Sequence, residues 1–264
     1  DSAAAAAAAD EDAAPRRGDP AQRVANKAGI NNFAWNMRYD DASTFNGLIM
    51  WAAGTQGPMA PPGTYQVRML VDGAPVGVER FALEKDPRTN ATQADLDAQF
   101  AFLLQVRERT SQANDGVKLI RNVREQLDER EKKLTGQPLA QFRALAAPMR
   151  TELASVEDSL YQTKNRSGQD PLNYPIRLNN KLAALAGVAG SAEARPTDQT
   201  VTVFRDLSRQ LDVQLTRMKR TLDSTIPKLN ALLKTAGQPE IVPKATEVPK
   251  PDVVTDDDDM DMDM

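Results

Sequence analysis

The feature that most constrains the fold is a run of strand-like segments between residues 29 and 85, after which the chain has helical patterning. The stretch 29–39 alternates apolar and polar residues, and 47–52 is a short apolar run. Residues 61–73 enter a strand after two prolines and leave it at an Asp-Gly turn, and 76–83 follows as the hairpin partner. A four-stranded sheet alone has exposed edges and too little core. We therefore expect the chain to be the C-terminal part of a larger protein.

These strands resemble half of an immunoglobulin-type β-sandwich, and no other part of the chain can supply the missing half. The sequence thus predicts an α+β protein, with a partial Ig-like β-sandwich at residues 29–85 and an antiparallel helical bundle at 92–236. Residues 1–28 are an Ala/Pro-rich linker or loop, and 237–264 are an acidic tail. Neither end has the apolar periodicity that builds a core, so we expect both to be disordered.

The helical part is divided by recognisable start and stop residues. Thr92 followed by Asp95 is typical of an N-terminal capping box, and the first apolar stripe then continues to Leu134. Stripes of this length indicate helices that pack as an antiparallel bundle with their apolar residues in the core. The three later stripes cover residues 138–160, 175–186 and 197–237.

Three residues interrupt these stripes. Gly116 predicts a loosened or kinked first helix, since glycine weakens a helix interior. Pro148 and Pro227 each predict a kink or a break, because proline removes a backbone donor and clashes with the preceding turn.

The composition excludes several classes of chemistry. The chain has no cysteine and no histidine, so disulfides, thiolate nucleophiles, Cys/His zinc sites and histidine-based triads are ruled out. The absence of cysteine fits either a reducing compartment or a secreted bacterial protein that avoids thiols. We predict no cofactor.

Charge and hydropathy limit the partners. The formal net charge of −4 is concentrated at the C-terminus, where residues 240–264 carry nine acidic residues and two lysines. The middle of the chain is mildly basic, but no Lys/Arg cluster is interleaved with aromatics, so we expect no nucleic-acid partner. No stretch approaches the roughly 20 apolar residues that span a bilayer. The first residues lack both an initiator Met and a basic leader, which favours a fragment or a processed segment.

The best candidate for a contact site is the polar segment 161–180, which lies between two predicted helices. It concentrates amides, two tyrosines and three cations, and loops carry function more often than the elements they join. The alternative is that its amides cap helix ends and anchor the loop, with Asn173 as an N-cap. The candidate interaction residues are Tyr161, Lys164, Asn165, Arg166, Gln169, Asp170, Asn173, Tyr174 and Arg177.

No catalytic or metal-ligating residues are predicted. The acidic pairs on the helices lie among Lys and Arg and indicate solvated surface; they are Asp95 with Asp97, Asp128 with Glu129, and Glu152 with Glu157. The Asp/Met tail has the charge to attract a cation loosely, but it lacks the glycine turn and final glutamate of an EF-hand loop.

Several motifs together resemble a known family. They are the stretch 29–39, Pro61-Pro62-Gly63-Thr64-Tyr65, Lys85-Asp86-Pro87-Arg88, and the segments 161–165 and 171–182. This combination is similar to the C-terminal region of large secreted bacterial proteins with sortilin-like, BNR-repeat β-propellers, often labelled glycosyl hydrolases. The resemblance covers roughly residues 28–235. It implies a propeller upstream, then an Ig-like domain and a helical tail, and it carries no catalytic residue onto this chain.

Three functions are consistent with these features. The first is a non-catalytic C-terminal scaffold and interaction module, located outside the cell or in the periplasm. Its partners would be the upstream propeller and Ig-like strands, of the same or a cleaved chain, or other surface proteins. The second is part of an extracellular glycan or peptide hydrolase whose active site lies in that propeller. The third is a structural subunit of a surface assembly, built through helices or a sheet edge.

Overall fold

A computed structural model describes residues 28–244. The predicted linker and the predicted acidic tail fall mostly on residues 1–27 and 245–264, which lie outside the described residues. The chain divides into two compact units at Arg38. Within the first unit, the described residues have irregular backbone: the Trp35 indole Nε1 donates to the Arg38 carbonyl at 3.2 Å, and Met37 has a φ of 57°.

The second unit contains one β-hairpin and four α-helices among its described residues. Strand β1 (Gly63–Val71) pairs antiparallel with β2 (Ala74–Leu83) through the Asp72-Gly73 turn. The helices are α1 (Gln93–Lys133), α2 (Gly136–Leu160), α3 (Leu178–Ala189) and α4 (Asp198–Thr235), with a short 3-10 helix at Asp170–Leu172.

The Ig-like part of the prediction is wrong for the described residues, because two of the four expected strands are absent from them. Residues 29–39 and 47–52 form no strand. In 47–52 the extended run is interrupted at both ends, since Gly47 has a φ of 80° and Ala52 a φ of 47°. Side chains of the bundle, described below, bind the backbone groups that a neighbouring strand would otherwise have bound.

The helical prediction is confirmed, and its start signals are in place. The Thr92 side chain accepts from the Asp95 amide, and the Asp95 carboxylate accepts from the Thr92 amide, which completes the capping box. Thr197 caps α4 in the same position. The third helix begins at Leu178, three residues later than the pattern suggests.

Neither proline ends its helix. Pro148 lies within α2 and Pro227 within α4, and both helices continue on either side because buried apolar residues flank the prolines. Gly116 also lies in an unbroken helix. A Cβ there would come within 3.1 Å of Leu160 and 3.2 Å of Leu215, so this glycine lets α1 approach its neighbours closely.

The core lies between the helices. Leu134 and Thr135 alone join α1 to α2, so the chain turns back on itself, and α2 then packs along α4 while α1 packs along α2 and α3. The Phe102 and Phe204 rings meet edge to face at 5.2 Å between α1 and α4. The largest fully buried side chains include Phe142, Ile120, Leu127, Met149, Leu153, Leu160, Leu182, Leu211, Leu229 and Leu233.

Candidate functional site

Residues 39–60, here called the strap, cross the bundle without forming a strand or helix. Asn114 of α1 lies at the centre of their attachment. Its Nδ2 donates to the Ser43 carbonyl at 2.6 Å, and its Oδ1 accepts from Asn179 Nδ2 at 3.0 Å. Both asparagines are fully buried, so these bonds replace water that burial has removed. The strap, α1 and α3 are therefore joined through one amide.

Ser43 is held by a cluster of polar side chains on α1. Its amide donates to Ser111 Oγ at 3.0 Å, and its hydroxyl donates to Asp115 Oδ1 at 2.5 Å. Lys118 Nζ donates to the same hydroxyl oxygen at 2.8 Å and pairs with Asp115 at 2.8 Å. Every polar group of this serine is thus engaged by one face of α1.

Asn180 of α3 binds the backbone of Trp51 in both directions. Its Oδ1 accepts from the Trp51 amide at 2.7 Å, and its Nδ2 donates to the Trp51 carbonyl at 2.9 Å. This is the pair of bonds that an antiparallel strand would make. The side-chain amide of Asn180 therefore satisfies the backbone hydrogen bonds of Trp51, in a segment whose sequence predicts a strand.

Glu157 of α2 is nearly completely buried and accepts from two arginines of α1. Arg121 Nε donates to it at 2.9 Å, and Arg124 Nη1 donates to its other oxygen. The Arg121 guanidinium also lies over the Phe45 ring of the strap, 4.7 Å from its centroid. The prediction of a solvated Glu157 is wrong, because its position on the inward side of α2 buries it between these cations.

The strap is closed at its ends by backbone pairing. The Tyr39 amide donates to the Pro58 carbonyl at 2.9 Å, and the Ala42 amide donates to the Thr55 carbonyl at 2.6 Å. Gly57 lies between them, where an added Cβ would overlap the carbonyl oxygen of Tyr39. Only glycine fits this approach of one backbone to another.

The predicted contact residues lie in the segment 161–177, here called the interhelical loop. Tyr161 is buried and belongs to the strap attachment: its hydroxyl donates to the Gly47 carbonyl at 2.9 Å and accepts from the Ile49 amide at 3.3 Å. Its ring meets Phe45 edge-on at 5.0 Å. This part of the loop anchors the strap.

Residues 164–166 of the interhelical loop mainly contact other residues of the same loop. Asn165 is buried, and its Oδ1 has no hydrogen-bond partner among the described residues. Lys164 Nζ lies 5.5 Å from the centroid of the Tyr174 ring. Arg166 Nη1 donates to the carbonyls of Thr163 and Asn165, at 2.9 and 3.0 Å.

Asp170 organises the turn before the 3-10 helix. Its Oδ2 accepts from the amides of Arg166 and Ser167, at 2.5 and 2.8 Å. These two backbone donors favour the charged form and hold the pKa of Asp170 below its usual range. Gln169 precedes this helix, and Asn173 follows it. The prediction that Asn173 caps a helix N-terminus is wrong, because it terminates the 3-10 helix and Arg177 precedes α3.

Arg177 lies apart from the rest of the loop. Its Nη2 pairs with Asp158 at 2.8 Å. With Lys181, Gln210 and Gln214 it lines an open cleft of about 300 Å³ between α2, α3 and α4. The nine candidate residues therefore do not converge on one site: Tyr161 faces the strap, Arg177 the cleft, and the others mainly support their own turn.

The hairpin presents a different kind of surface. Tyr65 stands opposite Phe81 and Val67 opposite Glu79, and the Tyr65 and Phe81 rings stack at 6.0 Å. Because side chains alternate along a strand, Tyr65, Val67 and Met69 share one side with Phe81 and Glu79. We call this side the apolar face, and Glu79 is its one charged residue. Val67 is 55% exposed and Met69 63% exposed. Within residues 28–244, neither strand packs against a helix.

The other side of the hairpin is polar and positively charged. It carries Gln66, Arg68 and Arg80 with Val78. Both arginines are exposed, and neither has an ion-pair partner in the described part of the chain. We call this side the arginine face.

The base of the hairpin is attached to the start of α1. Gln93, the first residue of α1, donates from Nε2 to the Pro62 carbonyl at 3.0 Å, and the Tyr65 hydroxyl donates to the Pro61 carbonyl at 2.6 Å. Burial of the phenol, and then the neighbouring Tyr39, raise the pKa of Tyr65 to about 12.

Sequence reasoning missed the residues that attach the strap, above all Asn114, Asn180 and Glu157. Asn114 and Glu157 occupy inward positions of apolar stripes. Asn114 follows the buried Thr110 by four residues, and Glu157 follows the buried Leu153 by four. A polar residue on the inward face of a helix was the signal that could have found them.

Comparison with family models, with curated proteins and with solved structures finds no match to the chain. Among residues 28–244, no three acidic side chains are grouped as metal ligands would be. Across the same residues, no helix is long and apolar enough to cross a membrane.

Proposed function

We propose that the chain is a non-catalytic C-terminal scaffold and interaction module of a larger secreted β-propeller protein, acting outside the cell or in the periplasm. In this proposal the helical bundle is the rigid support and the hairpin is the docking element. The observation that carries it is the exposure of Val67 and Met69 on the apolar face, against which no helix of residues 28–244 packs. A lone hairpin with such a face is marginal in water and gains stability when a partner covers it.

We further propose that the hairpin docks, through its apolar face, on a β-sheet of the propeller-bearing region of that larger protein. The apolar face supplies one half of the packed contact, since side chains from that sheet would cover Tyr65, Val67 and Met69. The strap supports this role, because it leads into the hairpin and is hydrogen-bonded to α1 and α3.

The test is association of this chain with the separately produced propeller-bearing region, here called the preceding region, measured by calorimetry. Val67→Asp places a charge on the apolar face, and Gln66→Asp places the same charge on the adjacent arginine face. We expect Val67→Asp to weaken association at least about tenfold and Gln66→Asp to have a much smaller effect. Equal effects of the two variants would contradict docking through the apolar face.

An activity assay tests the non-catalytic part. The chain alone should hydrolyse neither glycans nor peptides at a rate above the uncatalysed reaction. Hydrolytic activity that co-purifies with the isolated chain would contradict the proposal.

A further inference from the structure

The C-terminal residues have a pattern that matches the open edge of the hairpin. From Asp259 to Met264 the sequence alternates strictly between aspartate and methionine. These residues lie outside the described structure and enter here by their sequence. We propose that residues 259–264 of a second copy of the chain add to the outer edge of β1 as a third strand. This rests on the proposed docking role of the hairpin.

The side-chain chemistry is complementary on both faces. In an added strand, alternation would place the methionines on one side and the aspartates on the other. The methionines then extend the apolar face beside Tyr65 and Met69, where a thioether packs well against an aromatic ring. The aspartates lie on the arginine face beside Arg68, with Arg80 one strand further away. Main-chain hydrogen bonds along the edge supply the rest of the binding.

The two edges of the hairpin are not equally open. Along β2, Pro75 removes a backbone donor, and Glu79 and Arg80 place adjacent charges near the edge. Such residues discourage strand addition. Strand β1 has no proline and a single charged residue, Arg68. The edge of β1 is therefore the one that accepts a strand.

Distance favours the tail of a second copy over the chain's own tail. The Lys244 amide donates to Asn122 on α1, whereas the hairpin base is held by Gln93 at the start of that helix. These two points are roughly 45 Å apart along α1 at 1.5 Å per residue. The stretch from Lys244 to Asp259, about 15 residues, reaches only about 50 Å when fully extended. A chain's own tail would have to be stretched almost completely, and a neighbour's tail would not.

Exchange of tails between two copies gives a closed two-fold pair, in which each hairpin receives the other's tail. The same edge of β1 is then covered whenever no docking partner is present. The tail thus competes with the partner and protects an aggregation-prone edge.

The test uses the full chain, a variant that lacks residues 256–264, and a shuffled variant in which 259–264 become three aspartates followed by three methionines. The shuffled tail keeps charge and composition but loses the alternation. Sedimentation velocity reports association, and hydrogen exchange reports protection of the β1 amides. We expect concentration-dependent dimers with slow exchange at residues 64–70 for the full chain, and monomers with fast exchange for both variants.

Two further measurements test the same proposal. A synthetic peptide of residues 255–264 should restore slow exchange of β1 in the truncated variant, and Arg68→Gln should weaken dimerisation about two- to fivefold. Equal association of the shuffled variant, or β1 protection in the full chain that is independent of concentration, would overturn the proposal. Docking to the preceding region is measured on the truncated variant, so failure of tail exchange and failure of docking are seen separately.

Discussion

Replacing Asn114 with alanine should release the strap from the bundle. The change removes two hydrogen bonds, leaving the Ser43 carbonyl and the Asn179 amide group buried without a partner. Each such group costs about 1–3 kcal/mol, and the better helix propensity of alanine returns about 0.5 kcal/mol. We therefore expect a loss of about 2–5 kcal/mol in the free energy of unfolding, or roughly 4–20 °C in Tm for a domain of this size.

Two assays check this expectation together. Urea unfolding gives the loss of stability, and hydrogen exchange shows whether the strap amides of Ser43, Ile49 and Trp51 lose protection. Asn122→Ala on the same helix is the control, because its bonds to Gln126 and Lys244 are half-exposed, and it should cost less than about 1 kcal/mol. A loss below about 1 kcal/mol for Asn114→Ala, with strap exchange unchanged, would refute the reasoning.

Three further outcomes follow from the geometry. Gly57→Ala should destabilise the chain by about 1–3 kcal/mol in urea unfolding, because its Cβ overlaps the backbone of the strap; an unchanged midpoint would contradict this. Glu157→Gln should cost about 1–3 kcal/mol by thermal unfolding, less than a fully buried pair since its arginines are partly exposed, and a stabilised variant would show that the charge is not needed. Tyr65 should ionise near pH 12, measured as tyrosinate absorbance against Tyr65→Phe. Because its folded pKa is raised, its stabilising contribution is complete below about pH 10 and is lost as the pH rises to about 12, whereas ordinary ionisation near pH 10 would contradict the burial of its phenol.

The helices could be predicted because their signals are local. The capping residues Thr92 and Thr197 stand next to the first apolar turn, and the stripes that follow keep a 3.6-residue period over many turns. Of the kink or break predicted at Pro148, the break does not occur, because the flanking face of α2 is buried and burial outweighs the loss of one backbone donor. Local patterns thus located the elements, and tertiary packing decided their continuity.

The strap could not be predicted from local pattern. Residues 47–52 have strand-like composition, but the partners of their backbone are Tyr161 and Asn180, more than a hundred residues away in sequence. Nothing in the run itself distinguishes pairing with a strand from pairing with side chains. The hairpin was found because an Asp-Gly turn between two strand-like runs is a strong short-range signal.

The candidate site was only partly visible for a similar reason. The interhelical loop was chosen for its polar composition, yet Tyr161 is buried and Asp170 binds the loop's own amides. Composition reports which groups are available to bind. The direction in which each group points depends on the helices packed around it.

The most direct test of the docking role is hydrogen exchange at the hairpin amides in the variant without residues 256–264, measured alone and bound to the preceding region. We predict fast exchange at residues 64–70 and 76–82 in the free chain, since no helix of the described part of the chain packs against the strands, and exchange at least tenfold slower in the complex. Fast exchange in both states would contradict the claim that this hairpin is where the module docks.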